Sequence, residues 1–174
     1  MLTGRQIAES GMLTGFEEKN IQQQGVDIRI AKVNKVKGKL GVVPETGKTI
    51  LPDYEPIQPL HYKKGEGERI YGWMLGPGVY DIEFVEGVNI DSFHAMKPLT
   101  RSSLVRMGAR IDSGLYDAGF KSEHCGAMLH ITTPIIIAVN ARVAQIVCLE
   151  SDEVHNLYNG QFQGDKQREN QNKA

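Results

Sequence analysis

Residues 127–149 read AMLHITTPIIIAVNARVAQIVCL. Three apolar runs, 127–131, 135–139 and 143–149, are interrupted first by Thr132, Thr133 and Pro134 and then by Asn140 and Ala141. Runs this short and this rich in Ile and Val predict strands, the last two joined by a two-residue turn. Upstream the pattern recurs. Val26, Ile28 and Ile30 alternate with Asp27 and Arg29, predicting a half-buried strand whose polar face carries a carboxylate and a guanidinium. Tyr80, Ile82 and Phe84 alternate with Asp81 and Glu83 after a turn at Gly76, Pro77 and Gly78. Gly38, Gly41, Pro44, Gly47 and Pro52 cut the intervening chain into short hairpins, and residues 53–69, with Pro56, Pro59 and the charged KKGEGER run, read as an exposed loop. Roughly eight to twelve short strands at even spacing indicate a sandwich, jelly roll or barrel. One structural helix opens the chain: Thr3 and Gln6 form a capping box, Leu2 and Ile7 a hydrophobic staple, and Gly11 a stop.

The totals narrow the functional classes. A chain of 174 residues makes one domain with a real core. A net charge of −1 gives no global basic field for nucleic acid or an anionic membrane. The two cysteines, Cys125 and Cys148, have no CxxC spacing, which fits a reducing cytosol. No signal-type segment opens the sequence, and the apolar run 135–139 is far too short to span a bilayer. The expectation is a soluble cytoplasmic protein.

Chemistry concentrates in residues 101–120, RSSLVRMGARIDSGLYDAGF. Thr100 and Ser102 are N-cap candidates for a short helix through Leu104, Val105 and Met107. Its first N–H groups, with Arg101, Ser102, Ser103 and Arg106, form a phosphate grip, since the guanidinium fork binds phosphate bidentately. Asp117 follows in a tight DAG turn, and a phosphate grip beside a carboxylate suggests nucleotide chemistry. From Ser151 the chain turns polar, with Tyr158 and Phe162 set among glycines and glutamines. Such a segment is either a disordered tail or a lid over a ligand.

These pieces, in this order, resemble the trimeric dUTPase and dCTP-deaminase superfamily, and most of all its archaeal-type dUTP nucleotidohydrolase branch. QQGVDIRI, RSSLVRMG, YDAGFKSEHCGAML, ARVAQIV and YNGQFQG each resemble one of the family's motifs. The resemblance implies a mainly β fold, a distorted jelly-roll-like barrel of the β-clip kind with a short N-terminal helix and another at RSSL. It implies a homotrimer with active sites between subunits, residues 1–150 as the β domain, and residues 151–174 as a flexible tail closing over the site. The implied reaction is hydrolysis of dUTP to dUMP and pyrophosphate at the α-phosphorus. Asp117 is then the base that activates water. Arg101, Ser102, Ser103, Arg106 and Gln145 hold phosphate, with Tyr158, Gln163, Gly164 and Lys166 from the tail. Asp112, Ser113, Gly114, Leu115, Tyr116 and Phe120 surround the nucleoside, where Phe120 replaces the family's usual tyrosine. Mg2+ is expected on the triphosphate without direct protein ligands, and Asp27 would act on it at most indirectly.

Deamination needs a glutamate on the strand after the hairpin. The matching stretch is Leu129, His130 and Ile131, so His130 stands in its place, while Glu123 falls in an inserted turn. No zinc pattern of other nucleotide deaminases is present. The deaminase-like QFQG tail keeps a dCTP deaminase or bifunctional enzyme as the alternative, and a non-catalytic nucleotide-binding trimer as a further one.

Overall fold

A computed structural model describes residues 1–38 and 40–165. In chain order the elements are α1 (Gly4–Glu9), β1 (Leu13–Thr14), β2 (Val26–Lys37), β3 (Asp53–Pro56), β4 (Leu60–Lys63), β5 (Arg69–Leu75), β6 (Gly78–Phe84) and β7 (Gly87–Asn89). There follow β8 (His94–Thr100), α2 (Ser102–Arg106), β9 (Ala109–Asp112), β10 (Lys121–Ser122), β11 (Gly126–Ile131), β12 (Ile135–Ala138) and β13 (Arg142–Glu150). The fold is mainly β, as expected, with its two short helices at the expected places. The capping box at Thr3 and Gln6 is formed, and Ile7 anchors α1 in the core.

The largest sheet runs β8-β13-β2-β6-β11-β9, with β3 added beside the far end of β2. Its two edges curl towards each other. Met96 and Tyr116 exchange main-chain hydrogen bonds of 2.9 and 2.8 Å, and the Thr100 hydroxyl accepts from the Ile111 N–H at 2.8 Å. The result is a nearly closed, antiparallel barrel-like sheet. Two three-stranded sheets, β1-β7-β10 and β12-β5-β4, complete it. The interior is filled by Ile28, Ile30, Ile82, Phe84, Met96, Leu129 and Ile146, all fully buried. Each such aliphatic or aromatic side chain contributes roughly 1.5–3 kcal/mol when removed from water. A register shift between Ile30 and Lys32 brings Val33 into the core and leaves Lys32 outside.

Three expectations need correction. Residues 53–69 are not simply a loop, since they contain β3 and β4. Both strands lie at sheet edges with largely exposed side chains, so no alternation marked them. The expected turn between the last two strands is present, with Asn140 at φ 62°, and it joins strands of different sheets: β12 pairs with β5, and β13 with β2 and β8. The N-cap of α2 is Arg101 rather than Thr100 or Ser102, because the Thr100 hydroxyl is spent on Ile111. Finally, the polar residues at the start of β2 are not solvated. Asp27 is 2% exposed, and Arg29 is held by the buried Glu86 through its Nε at 2.8 Å and its main-chain N–H at 2.7 Å.

Candidate active site

The segment after β9 folds back across the barrel end and lines a cleft of about 1490 Å³. Asp112, Ser113, Gly114, Leu115, Tyr116, Asp117 and Phe120 all face it, so the expected nucleoside residues come together. Their placement follows from local contacts. Tyr116 is pinned by its main-chain exchange with Met96 and by its hydroxyl, which donates to the Gly126 carbonyl at 2.9 Å. The next turn is closed by the Phe120 N–H donating to the Asp117 carbonyl at 3.0 Å, and Gly119 adopts φ 83°, which favours glycine. The main chain therefore closes this turn. The Asp117 carboxylate stands exposed in the cleft with no side-chain hydrogen bond among the described residues.

Phe120 is covered on two sides, by Tyr116 with ring centres 5.4 Å apart and by Tyr158 edge-on at 5.4 Å. It remains a wall of the cleft but offers little free ring surface. Asp112 ends β9, where its Oδ2 accepts from Arg110 Nη2 at 2.7 Å and lies 3.3 Å from His130 Nε2. His130 is thus engaged with Asp112, and it is absent from the cleft lining. Glu123 is exposed in the turn between β10 and β11.

The expected phosphate residues lie elsewhere. Ser102, Ser103 and Arg106 are exposed on α2, a single turn of helix. Arg101 points its Nε at Asp27 Oδ2, 3.4 Å away, and its Nη1 donates to the Arg142 carbonyl at 3.2 Å. Arg142 Nη1 donates to the same Asp27 oxygen at 3.2 Å, and Gln145 sits opposite Asp27 across β13 and β2. One buried carboxylate thereby orients two guanidiniums. Burial pushes the Asp27 carboxyl above its usual range, and Arg101 and Arg142 pull against that shift.

None of Arg101, Ser102, Ser103, Arg106 and Gln145 lines the cleft. Its charged lining is mainly acidic: Asp53, Asp81, Glu83, Asp112 and Asp117 face the space against one lysine, Lys32, and one histidine, His124. A triphosphate placed wholly in this cleft would meet repulsion at close range. Within one chain, the expected nucleoside residues and the expected phosphate residues are therefore separate.

The tail returns over the hairpin. The Tyr158 N–H donates to the Ala118 carbonyl at 2.8 Å, and Tyr158 and Phe162 line the cleft. Gln163 binds main-chain groups of residues 119 and 121, and Gly164 adopts φ 68° in the final turn. Lys166 lies outside the described residues. Sequence reasoning missed Arg142 as a partner of Asp27, although it is the arginine of the ARVAQIV motif. It also missed the cleft floor, where Asn34 donates to Asp81 at 2.8 Å and Lys32 meets Glu83 at 3.0 Å.

Comparisons with known proteins agree with this architecture. The chain is 33% identical over 149 residues to the deoxyuridine 5'-triphosphate nucleotidohydrolase of Methanocaldococcus jannaschii, covering 86% of this chain and 90% of that protein. It is 30% identical over 167 residues to a protein of Aeropyrum pernix named as a probable deoxyuridine 5'-triphosphate nucleotidohydrolase, covering 94% and 98% of the two chains. Among solved structures, the 2'-deoxycytidine 5'-triphosphate deaminase of Agrobacterium tumefaciens superposes with a TM-score of 0.56 at 17% identity, covering 84% of this chain and 46% of that one. That likeness speaks for the fold. The sequence model described as dCTP deaminase-like matches residues 2–151, and the chain belongs to the dCTP deaminase-like family.

Proposed function

We propose that this protein is a dUTP diphosphatase, which hydrolyses dUTP to dUMP and pyrophosphate by attack of water on the α-phosphorus. The observation that carries this reading is the contrast between two side chains. Asp117 stands exposed in the nucleoside cleft, ready to orient and deprotonate a water. His130, at the place where a deaminase would need glutamate, is turned to Asp112. The relatives named as dUTP nucleotidohydrolases support the same choice.

In this reading the hairpin main chain of residues 109–116 selects uracil, because fixed donors and acceptors that match uracil leave cytosine with unpaired groups. Ser102, Ser103 and Arg106 hold phosphate together with Arg101 and Gln145. Asp27 orients Arg101 and Arg142 from behind. Mg2+ supplies charge neutralisation at the triphosphate. The cleft carboxylates suit a substrate that brings its own cation, and Asp27, nearly buried between two arginines, suits an indirect role. Because cleft and phosphate residues are apart within one chain, the working site is completed by a second subunit in a homotrimer. Among the described residues, no helix is long and apolar enough to cross a membrane, and both cysteines are buried. Those cysteines suit a reducing cytoplasm.

Chromatography of the products from separate dUTP and dCTP incubations tests the proposal. Formation of dUMP and pyrophosphate from dUTP, with turnover abolished by EDTA, is the expected result. The family match favours a second reading, deamination of dCTP alone or together with hydrolysis. Ammonia released from dCTP would establish that one instead.

A further inference from the structure

Gln163 is used in a way that phosphate binding does not explain. Its Oε1 accepts from the Lys121 N–H at 2.9 Å, and its Nε2 donates to the Gly119 carbonyl at 2.8 Å. A carboxamide presents one acceptor oxygen and an NH2 group, so this pairing imitates one rung of a β-ladder. Further contacts fasten the same turn. The Tyr158 N–H donates to the Ala118 carbonyl at 2.8 Å, and the Tyr158 ring meets Phe120 edge-on. A Cβ at Gly119 would lie 2.6 Å from the Leu157 Cβ, so only glycine lets the tail approach this closely. On the opposite side, Ile90 exchanges main-chain hydrogen bonds with Gly119 and Phe120 at 3.1 and 3.0 Å. Residues 118–121 are therefore clamped between Ile90 and the tail, and Asp117 is the residue immediately before the clamp.

We propose that Gln163 is a positioning residue: from its own chain it locks the 117–121 turn and so fixes the direction of the Asp117 carboxylate. This rests on the reading of Asp117 as the base for dUTP hydrolysis. A loosened turn lets the carboxylate swing away from the attacking water. Misplacement on the ångström scale lowers rate by about 10²-fold without removing a single contact to phosphate.

The test uses the full chain and its Gln163→Ala and Gln163→Glu variants. Hydrogen exchange of the Lys121 amide is followed without nucleotide, and dUTP kinetics with pyrophosphate inhibition are followed alongside. The expected result is a protected Lys121 amide in the unsubstituted protein and a loss of protection of about tenfold or more in Gln163→Ala. In the same variant kcat falls at least about tenfold, while pyrophosphate inhibition stays within about twofold. Gln163→Glu lowers kcat likewise, because an ionised carboxylate repels the Gly119 carbonyl to which the amide donated, although it can still accept from the Lys121 N–H. An unprotected Lys121 amide in the unsubstituted protein overturns the proposal. So does a joint rise in KM and in the pyrophosphate inhibition constant with kcat unchanged, which would make Gln163 a phosphate ligand. Absence of any dUTP turnover by the unsubstituted protein would instead remove the hydrolysis reading and, with it, the base that Gln163 is proposed to position.

Discussion

Asp117 and Asp27 show how environment divides two carboxylates of one chain into different tasks. Asp117 is exposed in the cleft, where it can meet water and substrate. Its replacement by asparagine keeps the shape and removes proton acceptance. Steady-state kinetics should show kcat reduced by about 10²–10⁴-fold, while calorimetry shows a non-hydrolysable dUTP analogue binding as before; an undiminished rate would end the assignment. Asp27 is buried, and burial raises its folded-state pKa despite Arg101 and Arg142. Glu86 is raised likewise, by burial first, against the hydrogen bonds and charge of Arg29. Both values lie above those of the unfolded chain, so the folded state binds these protons more readily. Stability attributable to the pair therefore falls as pH rises from the ordinary carboxylate range, about pH 4, through the raised values. Asp27→Asn removes one of these titrations, so calorimetric scans should give a flatter dependence of Tm on pH in that window. A steeper slope, or an unchanged one, would contradict this account.

At the scale of elements, α2 depends on a segment far from it in sequence. The Thr132 hydroxyl donates to the Gly108 carbonyl at 2.7 Å, and the Thr133 hydroxyl to the Met107 carbonyl at 2.6 Å. The loop after β11 thus holds the C-terminal end of a single helical turn that cannot hold itself. Replacing both threonines by valine should cost about 1 kcal/mol per lost bond, read as a lowered Tm, and should raise the KM for dUTP more than it lowers kcat. An unchanged KM would mean that α2 keeps the shape proposed to bind phosphate without them. These contacts also mark where sequence reading stops. The capping box at Thr3 and Gln6 was legible because its partners are three residues apart, and β2, β6 and β11 because alternation survives in sheets with one buried face. The pairing of Asp27 with Arg142 spans 115 residues, and no local pattern encodes it. Strands β3 and β4 hid for the opposite reason: edge strands with little buried surface need no apolar periodicity. RSSLVR was legible as a helix start and DAG as a turn, but the contacts of Gln163 were not, since its partners are main-chain groups that carry no residue signature.

For the whole molecule, the separation of charges is the governing fact. The cleft of one chain gathers five carboxylates and a single lysine, while Arg101 and Arg106 lie outside its lining. A nucleoside can sit in such a cleft, but its triphosphate needs cations from another surface. In the proposed trimer, the α2 surface of one subunit faces the cleft of the next, and closed rotational symmetry repeats that junction three times. Two crippled chains can then repair each other. A chain carrying Asp117→Asn keeps its phosphate grip, and a chain carrying Arg106→Ala keeps its base. Each alone should be nearly inactive. Unfolded together and refolded as mixed trimers, they should place an intact hairpin against an intact grip at about one junction in four, by random assortment at a heterologous interface. Activity should therefore return to roughly one quarter of the unsubstituted level, measured as pyrophosphate release against the same chains refolded separately. Recovery depends on the two lesions lying in different subunits of one site. If the mixture stays as inactive as its parts while sedimentation shows mixed trimers, base and grip must come from the same chain, and the acidic cleft would have to admit the triphosphate on its own.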